Sequence, residues 1–200
     1  MIKQIVFDIG NVLLEVHLKK TMDAWGFSEK CQEAVTQATV KNPYWYELDR
    51  SAVPDEDVLK GCIAKAPKYE KEIRMFYERH TDFVTPFSYA APWIRDLKAQ
   101  GFKVYLLSNY GVNAFAVAKN KMDFLTEVDG FVLSCQIKAL KPEPEIYMAL
   151  EEKYGILPQE TIFLDDNAAN VEGAKKRGYH AFLFTSYEEA QAVIKAESQK

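Results

Sequence analysis

Met1-Ile2-Lys3-Gln4-Ile5-Val6-Phe7-Asp8-Ile9-Gly10-Asn11-Val12-Leu13-Leu14 is the stretch on which the fold turns. Ile5-Val6-Phe7 has the β-branched and aromatic content of a strand buried on both faces. The run then stops on a carboxylate, followed by a glycine and an asparagine. Such an ending puts an acid at the carboxyl edge of a sheet, which is where open α/β folds bind ligands. Gly10 lets the backbone turn sharply or approach a ligand closely. An Asp that only caps a turn would account for this stretch by itself, so the rest of the chain has to decide.

Downstream, the pattern changes. From about Glu15 to Thr85 the periodicity is helical, with no convincing strand: Met22-Trp25 with Phe27, Val58-Leu59-Cys62-Ile63, and Ile73-Phe76-Tyr77 with His80. Ser28-Glu29 and Pro54-Asp55-Glu56 read as helix starts. From Pro86 onward helices and strands alternate. Helices are expected over 89–100, 112–120, 144–154, 168–177 and 187–196, and strands over 102–107, 130–134, 161–164 and 180–184. Gly101, Gly155 and Gly178 stop the helices that precede them. The alternation implies an α/β fold with a parallel sheet covered on both faces. The helical stretch is then an insertion between the first strand and the rest of the sheet.

Composition sets the outer limits. Two hundred residues, 48% of them hydrophobic, suit one compact domain or a core with a modest insertion. Lys and Arg number 25 against 29 Asp and Glu, a net charge of -4 with no strongly basic block, so a nucleic-acid partner is not expected. No apolar run approaches the ~18 residues that span a bilayer. No signal-peptide pattern precedes the first strand. Cys31, Cys62 and Cys135 are widely spaced and odd in number, which reads as reduced thiols in a cytoplasmic protein. A monomer is the default at this size.

The strand ends carry the chemistry. The first strand ends in Asp8. The strand at 102–107 runs into Ser108-Asn109-Tyr110-Gly111, and the strand at 161–164 into Asp165-Asp166-Asn167. Lys141-Pro142-Glu143-Pro144-Glu145 follows the strand at 130–134. Each has a purely structural reading as turn chemistry, helix cap or dipole partner. Together they serve one reaction, phosphoryl transfer through an aspartyl-phosphate. Asp8 would be the nucleophile. A hard divalent cation, Mg²⁺, held by Asp8, the Gly10 carbonyl and Asp166, would remove the repulsion between carboxylate and phosphate. Asp165 would stand behind that set, although the two acids could exchange roles. Lys141 would place a point charge on Asp8 and the phosphate. The Ser108 hydroxyl and Asn109 N–H would hold the phosphoryl oxygens. Asn167 and Asn170 read as groups that orient this loop.

These four segments, in this order, resemble the motifs of the haloacid dehalogenase (HAD) superfamily. The resemblance runs through the whole chain and implies a Rossmann-like core, 1–14 with 86–200, and a mobile type-one helical cap, 15–85. Within the superfamily, the Asp-x-Gly-Asn start and the Asp-Asp-Asn ending look most like bacterial sugar-phosphate phosphatases of the alpha-D-glucose-1-phosphate phosphatase kind. The phosphatase domain of soluble epoxide hydrolase is a more distant relative. The function implied is a Mg²⁺-dependent phosphatase acting on a small phosphate ester, a sugar phosphate in the finer reading.

One position departs from the family. Most of its phosphatases carry a second Asp two residues after the nucleophile, which protonates the leaving group and later activates water. This chain has Gly10 there, which cannot move a proton. Glu15 and His17 are candidates for that work, with a polar hinge into the cap as the alternative. The segment Asn42-Pro-Tyr-Trp-Tyr-Glu-Leu-Asp49-Arg50 is a candidate substrate surface, since it mixes aromatic groups with charge; packing between cap helices explains it equally. Three rival functions stay in view. A 2-haloacid dehalogenase uses the same scaffold but has no use for two adjacent carboxylates. A phosphomutase relies on the acid/base missing at Gly10. A non-catalytic binding protein would explain Gly10 but not the retained nucleophile, lysine and acids.

Overall fold

A computed structural model describes residues 1–200. Strand β1 (Gln4–Phe7) leads through a turn at Gly10–Leu13 into a short strand, β2 (Leu14–Val16). Five helices follow: α1 (Leu18–Ala24), α2 (Glu29–Ala38), α3 (Tyr46–Arg50), α4 (Asp55–Lys65) and α5 (Glu70–Glu78). Strand β3 (Val84–Pro86) closes the insertion by pairing antiparallel with β2. Then come α6 (Ala90–Ala99), β4 (Lys103–Ser108), α7 (Val112–Ala118), β5 (Gly130–Leu133), α8 (Ser134–Ile137) and α9 (Pro144–Tyr154). The chain ends with β6 (Thr161–Asp165), α10 (Ala168–Lys176), β7 (His180–Leu183) and α11 (Tyr187–Ser198).

The main sheet has five parallel strands in the order β5-β4-β1-β6-β7. Strand β1 is central because its residues are apolar on both faces and suit no exposed edge. Ile5 and Phe7 pack on one side with Trp93, Ile94 and Leu97 of α6 and Ile194 of α11. Val6 lies on the other side with Ile146, Tyr147 and Leu150 of α9 and Val171 and Ala174 of α10. The chain leaves β1 for β4 and β5 on one side and returns to β6 and β7 on the other. The carboxyl end of β1 is therefore the point where strand order reverses, the crevice in which open α/β sheets bind ligands. The α/β architecture with a covered parallel sheet is as the alternating pattern implied.

The inserted helices have their own apolar centre. Val35, Val58, Leu59, Cys62, Ile73 and Phe76 are buried against one another, with Met22 and Phe83. Ser28 caps α2 by accepting from the Cys31 N–H, and Pro54 precedes three acids in the first turn of α4, as their sequence signals suggested.

One expectation has to be corrected. The stretch 15–85 was read as free of strands, yet β2 and β3 form a two-stranded ladder at its two ends, Glu15 opposite Thr85 and Val16 opposite Val84. Three-residue strands fall below the length at which alternation is readable. Their pairing depends on the insertion bringing its ends together, a long-range fact with no local signature.

Candidate active site

Register assembles the site. Phe7 pairs with Leu106 on one side and Leu164 on the other, so Asp8 stands between the ends of β4 and β6. Its N–H donates to the Leu164 carbonyl at 2.9 Å, which fixes its backbone as a continuation of the sheet. Asp165, Asp166 and Asp8 come together there, each offering a carboxylate oxygen within 4.8 Å of the others.

Lys141 arrives from the loop after α8. Its ammonium is buried and donates to Asp165 Oδ2 at 2.6 Å and to the Leu107 carbonyl at 2.7 Å. It also lies 2.8 Å from Asp8 Oδ1, but out of hydrogen-bonding alignment, so that buried oxygen has the lysine's charge without a directed donor. Burial opposes the charge on Lys141, but Asp8 and Asp165 outweigh it and raise the ammonium's pKa. The lysine is charged at any working pH.

The two acids after β6 differ sharply. Asp165 is fully buried and saturated with donors: Lys141, Asn170 Nδ2 at 3.0 and 3.1 Å, and the Asn167 N–H at 2.8 Å. Asp166 is exposed, and Asn11 Nδ2 donates to its Oδ2 at 2.8 Å. Burial raises the pKa of Asp165, opposed by Lys141; crowding of the carboxyl by protein atoms raises that of Asp166, although the residue as a whole is exposed, and the Asn11 hydrogen bond opposes it. Asn11 reaches across because it adopts a left-handed conformation, φ 53°, which Asn tolerates better than most residues.

The donor chemistry fits a hard cation. Three carboxylates converge on one point, and Asp8 Oδ1 is a buried oxygen without a hydrogen bond. Asp166 keeps the most lone pairs free, because Asp165 spends its own on N–H groups. All-oxygen sets of this kind suit Mg²⁺.

Ser108 is buried at the end of β4, and Asn109 follows it. The Asn109 side chain has a task the sequence did not reveal. Its Oδ1 accepts from the Lys141 N–H at 2.8 Å, and its Nδ2 donates to the Lys141 carbonyl at 3.1 Å. The amide therefore grips the backbone of the lysine it sits beside. Asn167 caps α10, accepting from the Ala169 N–H. Asn170 is one turn inside that helix and steadies Asp165, so both asparagines do orient the loop. Gly173 lets α10 lie directly on the Lys141-Pro142 segment: a Cβ at that position would sit 2.9 Å from the Pro142 Cβ.

Above this edge lies a cleft of about 270 Å³ between the inserted helices and the sheet, lined by 16 residues, 10 of them hydrophobic. Trp45, Leu48 and Asp49 line it from one side and Asn109 and Tyr110 from the other. Of the segment singled out for substrate contact, Tyr44 and Tyr46 lie outside the cleft and are 41% and 46% exposed, the Tyr44 ring against Gly61 and the Tyr46 hydroxyl donating to the Val40 carbonyl. Arg50 turns to the sheet side, making a two-pronged contact with Glu143 at 2.9 and 2.6 Å.

Neither acid/base candidate near Gly10 is well placed. Val16 lines the cleft, and neighbouring strand residues point to opposite faces, which turns Glu15 away. His17 spends both ring nitrogens on hydroxyls, Thr21 and Thr85, each at 2.9 Å. This is the polar hinge. Asn11 and the Asn109 side chain are the site residues that sequence reasoning missed. Asp49 lies in the segment 42–50 expected to form substrate surface, and it does line the cleft.

Residues 2–178 match the family model for haloacid dehalogenase-like hydrolases. A D-ribitol-5-phosphate phosphatase of Bacteroides thetaiotaomicron is 26% identical over 197 residues, 91% of each chain. Phosphatase MT3486 of Mycobacterium tuberculosis is 33% identical over 102 residues, 50% of this chain and 47% of that one, so the match spans about half of each protein. In three dimensions, a HAD-family enzyme of Bacteroides thetaiotaomicron, solved with magnesium and inorganic phosphate, superposes with a TM-score of 0.69 at 24% identity, covering 94% of this chain and 96% of that one. The family match covers four of the five sheet strands, the inserted helices and all four strand-end motifs, and the chain belongs to the haloacid dehalogenase-like hydrolases.

Proposed function

We propose that this hydrolase is a Mg²⁺-dependent phosphatase that releases phosphate from a small phosphorylated metabolite through an aspartyl-phosphate on Asp8. The observation that carries the reading is the convergence of Asp8, Asp165 and Asp166, with the buried Lys141 ammonium against the first two. Asp8, the Gly10 carbonyl and Asp166 would hold the metal, with Asp165 behind them. When bound, Mg²⁺ supplies the positive charge that lets a carboxylate approach a phosphoryl group.

The chain's own residues do the rest. Asp8 attacks phosphorus, held in line by its place between two strands. Lys141 sets its positive charge beside Asp8 and neutralises charge on the phosphoryl oxygens. The Ser108 hydroxyl and the Asn109 N–H bind those oxygens. Asp165 anchors Lys141. Residues 15–85 act as a cap over the 1–14 and 86–200 core, and the cleft between them takes the leaving group. The third carboxylate favours this reading over a 2-haloacid dehalogenase, whose anionic substrate it would repel. The retained nucleophile and lysine favour it over a non-catalytic binding protein.

A sugar phosphate is the finer reading of the substrate, in line with a ribitol phosphate as the substrate of the Bacteroides relative. The Asp-x-Gly-Asn start points to the glucose-1-phosphate phosphatase kind. A second reading has its own observation: Trp45, Phe76, Tyr77 and Phe83 make the cleft strongly aromatic, which favours an aryl or otherwise apolar leaving group. We take the protein to act as a monomer in the cytoplasm, with no nucleic-acid or membrane partner. Its three cysteines are unpaired, and none of its helices is long and apolar enough to cross a membrane.

Phosphate release from sugar phosphates, phenyl phosphate and 4-nitrophenyl phosphate, with Mg²⁺ and with EDTA, tests the function. Mg²⁺-dependent release supports it, and the ranking separates the two substrate readings. Activity that is indifferent to EDTA and to Asp8→Asn would sink it.

A further inference from the structure

The missing proton carrier leaves a gap that the cap fills. We propose that Asp49, delivered by α3, is the general acid and base of the reaction, in place of the carboxyl that Gly10 lacks. The inference rests on the phosphatase reading above.

Asp49 lines the same cleft as Asn109 and Tyr110, the residues that follow the end of β4. Its backbone is fastened to the catalytic edge, although it belongs to the insertion. Ser134 Oγ donates to the Asp49 carbonyl at 2.7 Å and accepts from the Tyr110 N–H at 2.8 Å. Ser51 Oγ accepts from the Val112 N–H at 3.2 Å. Arg50 grips Glu143, two residues from Lys141, and donates to the Lys138 carbonyl. Gly111 allows the closest approach, since a Cβ there would stand 2.5 Å from the Leu48 carbonyl oxygen. These contacts tie the short helix that carries Asp49 to the loop after β4 and to the segment around Lys141, and so limit its movement relative to the catalytic edge.

The other proton carriers in the cleft are committed. Asp55 Oδ2 accepts from Tyr77 Oη at 2.5 Å and from Asn113 Nδ2 at 2.7 Å. His80 uses one ring nitrogen at the Tyr77 carbonyl and the other at the Ala114 carbonyl. The Asp49 carboxyl has only the Gly111 N–H beside it. Burial pushes its pKa up to about 7; the Gly111 N–H pulls the other way, and the negative charge of Asp8 adds to the rise. Tyr110 and Cys135 also face it, both with raised pKa values dominated by burial, so both are neutral near pH 7.

The chemistry balances. As Asp8 attacks, the bond from phosphorus to the ester oxygen breaks, and neutral Asp49 gives its proton to that oxygen to release an alcohol. The Asp49 carboxylate then takes a proton from water as the water oxygen attacks phosphorus. Asp8 leaves as a carboxylate with inorganic phosphate, and Asp49 is again neutral.

The test is leaving-group dependence. Asp49→Asn keeps the shape and removes the proton. With 4-nitrophenyl phosphate, whose phenolate leaves unaided, the variant should lose less than about 10-fold in kcat/KM; with phenyl phosphate the loss should be about 100-fold or more. The wild-type rate on phenyl phosphate should fall as pH rises through about 7, the range in which Asp49 loses its proton, and the variant should lack that limb. Gly10→Asp in the Asp49→Asn background should restore the phenyl phosphate rate. A Cβ at residue 10 meets only Val16 Cγ2, at 4.0 Å, so the added side chain has room. Equal losses on both esters, or an unchanged alkaline limb, would overturn the assignment and reduce Asp49 to a packing residue. A wild-type protein that releases phosphate from neither ester, nor from the sugar phosphates, would overturn the phosphatase reading itself, and this inference with it.

Discussion

The sheet edge and the segment Leu48–Ser51, joined through the loop that follows β4, are built on opposite terms. At the sheet edge, Asp8, Lys141 and Asp165 are buried, and the parallel register and a dense set of hydrogen bonds fix their positions. Each charge there has a partner, because an unpaired one would cost several kcal/mol. On the inserted helices, Asp49 is half-buried, its backbone is pinned, and its carboxyl is left nearly alone. A nucleophile must stay in place, and paired burial provides that. A proton carrier must change charge near neutral pH, and a sparsely solvated carboxyl provides that.

Replacing Asp8 breaks the contrast most severely. Asp8→Asn should lower kcat by about 10⁴-fold or more while the protein stays folded, as steady-state rates and circular dichroism would register. Asp166→Asn comes next. A loss of about 10³-fold is expected, together with disappearance of the rise in melting temperature that Mg²⁺ gives the wild type. Lys141→Met acts on stability as well as rate. It strands Asp8 and Asp165 without a cation and should cost about 3–5 kcal/mol in urea unfolding measured in EDTA. An unchanged midpoint would mean that the two acids share a proton instead.

The smallest effect belongs to the bridge between the two regions. A double-mutant cycle of Arg50→Ala and Glu143→Ala should give a coupling of about 1 kcal/mol, since the pair is partly solvated and screened. The same changes should lower kcat on phenyl phosphate more than on 4-nitrophenyl phosphate, because the latch positions α3, which carries Asp49, and leaves the sheet edge intact. A kcat loss as large as that of Asp8→Asn would show that the two regions are not separable in this way.

The difference also explains what could be read in advance. Asp8, Ser108 and the Asp165-Asp166 pair were legible because each sits where an apolar run ends, and parallel strands must put those ends on one edge; Lys141 was legible by the Lys-Pro-Glu-Pro-Glu segment before a helix. The helices from 144 to 154 and from 187 onward were legible by period and by their caps. Asn109 was read for its backbone, and nothing local marks its side chain as the clamp on Lys141, 32 residues further on. The ladder of β2 and β3 was invisible because three residues carry no pattern. Asp49 stood in a segment chosen for its aromatics. Its chemistry comes from Gly111 and Ser134, contacts between the insertion and the core that no spacing encodes.

The central claim is a Mg²⁺-dependent phosphoryl transfer to Asp8. Its most direct test is mass spectrometry of the protein quenched in acid during turnover of 4-nitrophenyl phosphate with Mg²⁺. The account predicts a phosphoryl adduct on the peptide containing Asp8, absent in EDTA and in Asp8→Asn. Full turnover by Asp8→Asn, or an adduct on any other residue, would contradict it.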